Sequence, residues 1–139
     1  EPVKLRYPTA VRPWQHVLEP LSGYLTLLER LISDGAAYSE AWNFGPRLEE
    51  PLFSVETVTS KIASLLNTSS EYQESSYGNL SEAHHLSLNS EKAHNRLRWR
   101  SKWTLDQALE ATVSWHRAQI GNKFMREFSI NQITAYMNS

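Results

Sequence analysis

Two prolines seven positions apart constrain the start of this chain more than any other feature. Pro13 disfavours helical backbone angles at Arg12, so we expect an extended chain there. Pro20 has no amide hydrogen, but it suits the first turn of a helix, where that hydrogen is not needed. Arg12 is therefore predicted just before a helix entrance, a suitable seat for a phosphate or diphosphate. From the residues alone, a structural salt bridge is the more common role of a single arginine.

Composition limits both the size and the partners of the fold. The 139 residues are 40% hydrophobic, enough for one core, so we expect one domain over 1–139. Fourteen basic and fifteen acidic residues nearly cancel, which argues against nucleic acid or a membrane surface as a partner. The absence of cysteine excludes disulfides, thiolate metal sites and a cysteine nucleophile. No apolar run resembles a signal peptide or a membrane span, which favours a cytoplasmic location.

Hydrophobic spacing predicts strands alternating with helices, hence an α/β fold with a small mixed sheet and several helices. The predicted strands cover 3–6, 38–44 and 85–88, with a further short one around Tyr72. The predicted helices cover 20–34, 54–66, 90–99, 104–121 and 129–137. Because the chain starts at Glu1 in what reads as a strand, we expect it to be a piece of something longer.

The helix boundaries follow from capping residues. Ser54 and Ser90 are predicted N-caps, and two Ser/Thr-x-x-Gln patterns, at Thr104 and Ser129, are typical of capping boxes. In the helix after Pro20, the spacing places six apolar or aromatic residues on one face. They are Leu21, Tyr24, Leu25, Leu28, Leu31 and Ile32.

Three ordered motifs resemble one enzyme family. They are Arg12-Pro13-Trp14-Gln15-His16-Val17-Leu18-Glu19-Pro20-Leu21-Ser22-Gly23-Tyr24, Ala41-Trp42-Asn43-Phe44-Gly45-Pro46 and Met125-Arg126-Glu127-Phe128-Ser129-Ile130-Asn131-Gln132-Ile133. Together they resemble the CDP-glucose 4,6-dehydratases of the extended short-chain dehydrogenase/reductase superfamily. The resemblance implies the C-terminal substrate-binding half of that fold, without the Rossmann half.

The resemblance also implies a set of substrate-binding residues. Arg12 matches the superfamily arginine that contacts the diphosphate, and Glu82 falls where relatives place an acidic residue against the nucleotide ribose. Asn43 and His84 complete the predicted set, although from the residues alone a structural role is the more common one for each. The run Leu80-Ser81-Glu82-Ala83-His84-His85 departs from the family pattern, so the base stays open between cytidine, uridine and thymidine.

The chain lacks the patterns that bind the cofactor in this superfamily. None of its five glycines forms a glycine-rich turn, and no tyrosine has a lysine four residues later. We therefore expect no bound cofactor and no catalytic residue in this chain, with NAD held by the N-terminal Rossmann half of a full-length parent. No metal-ligand pattern occurs either.

These observations lead to one hypothesis and one alternative. The chain is predicted to be the substrate-binding part of a nucleotide-diphosphate-sugar 4,6-dehydratase, with CDP-glucose as the favoured substrate. The alternative is a non-catalytic nucleotide-sugar binding or interaction module derived from such an enzyme. The face that would pack on the Rossmann half should be apolar and self-associating, so a homodimer is a further expected partner. Arg96, Arg98 and Arg100 form a basic cluster, either a solvated rim or a contact with phosphate or RNA.

Overall fold

The computed structural model describes residues 3–47, 49–74 and 83–139. Their contacts divide the chain into two compact units, Glu1–Trp14 with Pro51–Ser87 and Gln15–Glu50 with Leu88–Ser139. The prediction of one domain over 1–139 stays a prediction. The described elements are β1 (Val3–Leu5), β2 (Val11–Arg12), α1 (Leu18–Asp34), a 3-10 helix (Gly35–Tyr38), β3 (Phe53–Ser54), α2 (Val55–Leu66), β4 (Tyr72–Glu74), a π-helix (Ala93–Leu97), α3 (Leu105–Ile120) and α4 (Met125–Met137). Among these helices, none has both the length and the apolar character needed to cross a bilayer.

The first unit holds the strands and α2. β1 and β4 pair in parallel, while β2 and β3 pair antiparallel, with Val11 opposite Ser54 and Arg12 opposite Phe53. The predicted α/β class is confirmed, and its parallel and antiparallel pairings lie in two two-stranded sheets. The predicted short strand around Tyr72 is β4.

The predicted cap of α2 is confirmed. Ser54 Oγ accepts from the amide of Thr57 at 3.2 Å, so the helix starts directly at the end of β3. At the other end Asn67 adopts left-handed backbone angles (φ 55°), and its amide bonds back to the last turn. A side-chain cap therefore sets the start of this helix, and the left-handed backbone of Asn67 sets its end.

In the second unit, α1 exposes the face on which its spacing places the six residues. The helix begins at Leu18, so Pro20 is its third residue, and its buried residues are Glu19 and Gly23. A Cβ added to Gly23 would lie 2.3 Å from Phe44 Cδ1, which explains why only glycine fits there. Leu31 is half-buried, and the other five residues of the face are between 45% and 79% exposed: they are Leu21, Tyr24, Leu25, Leu28 and Ile32.

Two predicted strands are wrong. Residue 38 ends the 3-10 helix, and residues 39–44 have no strand pairing, because Phe44 packs among other aromatic side chains rather than in a sheet. Its ring meets Trp99 edge to face at 5.0 Å and Tyr24 at 5.5 Å. Of residues 85–88, only His85 forms a bridge, parallel to Val11.

The predicted helix at 90–99 is present with a different start. Asn89 Oδ1, rather than Ser90, accepts from the Glu91 amide at 2.8 Å. Ala93 and Leu97 are buried as predicted, within a π-helical turn.

Of the two capping boxes predicted for the last two helices, the first is confirmed and the second is wrong. Thr104 and Gln107 bond each other's backbone amides at the start of α3. Ser129 and Gln132 instead lie inside α4, which begins at Met125. Their side chains connect the two helices, because Ser129 Oγ accepts from the Trp115 indole and Gln132 donates to the Ala111 carbonyl.

A buried carboxylate joins α1 to the other elements of the second unit. Glu19 is 0% exposed, and its two oxygens accept from the amides of Lys102 and Trp103 at 2.8–3.1 Å. The Tyr136 hydroxyl donates to Oε2 at 2.7 Å. Burial, reinforced by this bond to Glu19, raises the pKa of Tyr136 well above its usual range. The carboxylate thus fixes the start of α1 against both the 102–103 segment and α4.

Replacing Glu19 by glutamine should destabilise the protein. The amide of Glu19→Gln would place N–H groups against the backbone donors that the carboxylate accepts, which should lower the free energy of unfolding by about 3 kcal/mol. Urea denaturation measures the change. Glu29→Gln, on the exposed part of the same helix, should alter it by less than about 0.5 kcal/mol. Equal stability of the two variants would contradict this role of the buried carboxylate.

The stability should also fall at mildly acidic pH because of His16. Its Nδ1 accepts from the Leu18 amide at 3.2 Å, and burial lowers the pKa of the ring although the charge of Glu19 opposes the shift. The folded state therefore binds fewer protons than the unfolded state below about pH 6.5, and the stabilisation present above that pH is lost as the pH falls.

The variant His16→Asn keeps an acceptor for the amide of Leu18 but does not titrate. Between pH 7.5 and 5.5 it should lose less unfolding free energy than the unchanged protein, as measured by urea denaturation at each pH. His116→Asn, at an exposed position of α3, should follow the unchanged protein. The prediction fails if all three proteins lose stability in parallel.

Candidate functional site

Arg12 is anchored in the first unit by backbone carbonyls. Its Nη1 donates to the carbonyl of Val11 at 2.8 Å and to that of Ala83 at 3.0 Å. Two residues later, the Trp14 indole donates to the carbonyl of Phe53 at 3.0 Å, which ties the end of β2 to β3. The side chains of Arg12 and Trp14 thus connect β2 to Ala83 and to β3, respectively.

Segment 83–86 runs beside Arg12. The amide of Val11 donates to the His84 carbonyl at 2.8 Å, and the amide of Leu86 donates to the Val11 carbonyl at 3.1 Å. These bonds align the segment in parallel with β2. The structure therefore brings Arg12 next to the residues that directly follow Glu82, while Glu82 itself lies outside the described residues.

The other two predicted substrate-binding residues lie in different units. His84 is exposed in the first unit and bonds to β2 through its carbonyl. Asn43 is exposed in the second unit, where its Nδ2 donates to the Asn89 carbonyl at 3.4 Å. This contact joins Asn43 to a residue 46 positions away, and its predicted role in substrate binding stays a prediction. Of the four predicted residues, the structure brings together Arg12 and His84.

The expected helix entrance does not supply unpaired amides. At the start of α1, the amides of Leu18 and Glu19 bond to the ring and carbonyl of His16. At the start of α2, the amides of Val55 and Glu56 bond to the carbonyls of Ala10 and Pro8. The prediction of an anion seat made from unpaired helix amides is therefore wrong, and any recognition of phosphate at Arg12 depends on side chains and strand geometry.

Sequence reasoning missed the contribution of Trp14, Phe53 and Ser54 to this region. Trp14 orients β2 through Phe53, and Ser54 pairs with Val11 while capping α2. No local signal pairs these residues, because 39 positions separate Trp14 from Phe53. In the described part of the chain no three histidine or acidic side chains come together as a metal-binding group.

The chain is similar in sequence to part of a known enzyme. The chain is 40% identical over 137 residues to CDP-glucose 4,6-dehydratase of Salmonella typhimurium. That match covers 99% of this chain but 38% of the relative, so the chain spans about two fifths of the relative's length. No protein-family model matches the chain.

Two solved structures share the fold of the chain. One is dTDP-glucose 4,6-dehydratase from Bacillus anthracis in complex with NAD, with a TM-score of 0.62 and 21% identity over 84% of this chain and 34% of that one. The other is RMD from Pseudomonas aeruginosa complexed with NADPH, with a TM-score of 0.63 and 20% identity over 81% and 34%. The resemblance predicted from the three motifs is thus confirmed: the chain is related over almost its whole length to part of CDP-glucose 4,6-dehydratase, and it shares the fold of about one third of each of these two solved structures.

Proposed function

We propose that this chain is the substrate-binding part of a nucleotide-diphosphate-sugar 4,6-dehydratase, with CDP-glucose as the favoured substrate. The complete enzyme would convert CDP-glucose to CDP-4-dehydro-6-deoxyglucose and water in the cytoplasm. The 40% identity to a CDP-glucose 4,6-dehydratase over 99% of the chain is the observation that carries this proposal. The position of Arg12 beside segment 83–86 supports it.

In this proposal Arg12 binds the diphosphate and Glu82 the nucleotide ribose. The carbonyls of Val11 and Ala83 hold Nη1 of Arg12 and so orient the guanidinium plane. A planar guanidinium in a fixed orientation suits bidentate bonds to phosphate oxygens, which a lysine ammonium cannot reproduce. His84 lies on the same segment as Ala83, and Asn43 is the remaining proposed contact.

The residues of this chain do not fit a dinucleotide. In the described residues β3 passes into α2 directly at Ser54–Val55, without the glycine-rich turn that lets a backbone approach a pyrophosphate. We therefore assign NAD, which would take up and return the hydride at C4 of the sugar, to a separate cofactor-binding half. This chain would bind and orient the sugar nucleotide and supply no catalytic residue.

Calorimetric titration with CDP-glucose and with CDP tests the role of Arg12. Both ligands should bind, because they share the diphosphate and the ribose, while glucose alone should not. Arg12→Lys should weaken both affinities about tenfold, since it keeps the charge but loses the bidentate geometry.

Arg6→Gln is the matched control, because it removes one exposed positive charge from the same unit. It should leave both affinities unchanged. Circular dichroism melting shows whether each variant folds. No heat with either ligand would contradict the proposal and favour the interaction-module alternative, and so would equal affinities for Arg12→Lys and the unchanged protein.

The outward face of α1 is the proposed docking surface for the cofactor-binding half. At 100° per residue, Leu21, Leu25 and Leu28 lie opposite the buried Glu19 and Gly23. One side of the helix therefore packs within its own unit, and the other side is apolar and exposed. A continuous apolar stripe of this kind rarely stays uncovered on a monomer. In the chain alone, the same face should mediate association between copies.

Sedimentation velocity across a concentration series measures that association. The unchanged chain should form dimers or larger species as concentration rises, and Leu28→Glu should shift it to monomer because a carboxylate would be buried without a partner. Ser33→Glu adds the same charge near the same helix end, away from the stripe, and should still associate. A chain that stays strictly monomeric at high concentration would contradict this use of α1.

A further inference from the structure

The second unit contains a cavity that the proposed function does not use. Its volume is about 340 Å³, within the range of small-molecule pockets. Its described lining residues are 45–47, 49–50, Ser90, His94 and 99–101. All of them belong to the second unit, whereas Arg12 and segment 83–86 belong to the first.

A buried serine on this cavity has an unsatisfied hydroxyl. Ser101 is 6% exposed, and its Oγ has no hydrogen-bond partner among the described residues. Ser90, equally buried, accepts from the amide of Gly45 at 2.6 Å, so its own proton remains a donor. Because a buried hydroxyl without a partner is unfavourable, these two residues indicate that the cavity receives a hydrogen-bond acceptor.

Arg100 adds more donors than the protein can accept there. Its Nε donates to His94 Nδ1 at 2.7 Å, and its Nη2 lies 2.6 Å from His94 Nε2. An imidazole ring offers at most one acceptor nitrogen, so His94 can satisfy only one of these N–H groups. Arg47 brings a second guanidinium to the lining. The polar wall is therefore rich in donors.

Two carboxylates and one indole restrict what the donors can bind. Glu50 Oε1 is engaged with the Leu105 amide at 2.9 Å, and Glu49 also lines the cavity, so the formal charges of the two arginines and two glutamates cancel. A lining without net charge does not attract a polyanion. The donors of Ser101, Ser90 and Arg100 therefore select a ligand with a single acceptor group rather than a highly charged one. The indole N–H of Trp99 is used by Ser22 Oγ, so toward the cavity this ring offers apolar surface.

We infer that this cavity binds a small organic molecule through a singly charged carboxylate, with its carbon skeleton against Trp99. The hydroxyls of Ser101 and Ser90 and the guanidinium of Arg100 donate to the oxyanion. The inference is independent of the dehydratase proposal, because none of these residues belongs to the Arg12 region. It gives the second unit a ligand of its own.

Nitrogen-15 NMR titration of the full chain at constant ionic strength tests the inference. The probes are acetate, benzoate and inorganic phosphate, which at neutral pH carries more negative charge than a carboxylate. Acetate or benzoate should shift the amides of Gly45 and Ser101 in a saturable way, and benzoate should bind more tightly than acetate because its ring can contact Trp99. Phosphate should bind more weakly than benzoate. If no probe shifts these amides, the inference is overturned.

Two variants and one control make the test specific. Arg100→Gln should weaken binding about tenfold, whereas Arg98→Gln, which removes an exposed charge from a residue that does not line the cavity, should not. Ser101→Ala should weaken binding while leaving the melting temperature unchanged or higher, because the hydroxyl it removes has no partner in the protein. A Ser101→Ala protein that melts lower and binds equally well would show a structural hydroxyl and overturn the assignment, as would equal effects of Arg100→Gln and Arg98→Gln.

Discussion

The carboxylate of Glu19 is the interaction on which the second unit depends. A fully buried charge is unfavourable unless it is well bonded, and here two backbone amides and the Tyr136 hydroxyl surround it. The network continues through Ser22, which bonds to Tyr136 and accepts from the Trp99 indole. Parts of the chain that are more than 110 residues apart thus meet at one side chain in the first turn of α1.

That network explains why α1 exposes its apolar stripe. The polar side of the helix is already fully occupied, because Glu19 takes the donors of three other residues and Gly23 admits the ring of Phe44. Leu21, Leu25 and Leu28 lie on the opposite side and are 45–63% exposed. A helix that satisfies its polar face inside its own unit can use its apolar face to contact another body, which is the role proposed for it above.

How far the sequence could predict the structure depended on the distance between interacting residues. Ser54 and the Thr104–Gln107 pair act on amides three positions away, so their helices were predicted correctly. The Ser129–Gln132 pair has the same spacing but bonds to α3, and nothing within four residues distinguishes the two cases. Apolar spacing likewise identified α1 as amphipathic without showing that its buried side carries a carboxylate.

In the candidate site, too, contacts between residues distant in sequence could not be predicted from local patterns. Arg12 meets Ala83 across 71 positions, and no periodicity or cap connects them, so only the resemblance to a known family predicted that these regions act together. The resemblance did not distinguish binding from folding residues within its longest motif. Arg12 and Trp14 bond within the first unit, whereas Gln15, the next residue, donates to the Phe44 carbonyl in the second.

The boundary between the two units therefore falls inside the motif rather than beside it. One short run supplies the proposed phosphate ligand, the bond that closes β2 against β3 and, at Glu19, the central carboxylate of the other unit. Substitutions in this run should therefore affect ligand affinity at one position and stability at another. A loss of ligand affinity after a change at Arg12 has a different physical origin from a loss of stability after a change seven residues later, and measurements of both quantities separate the two.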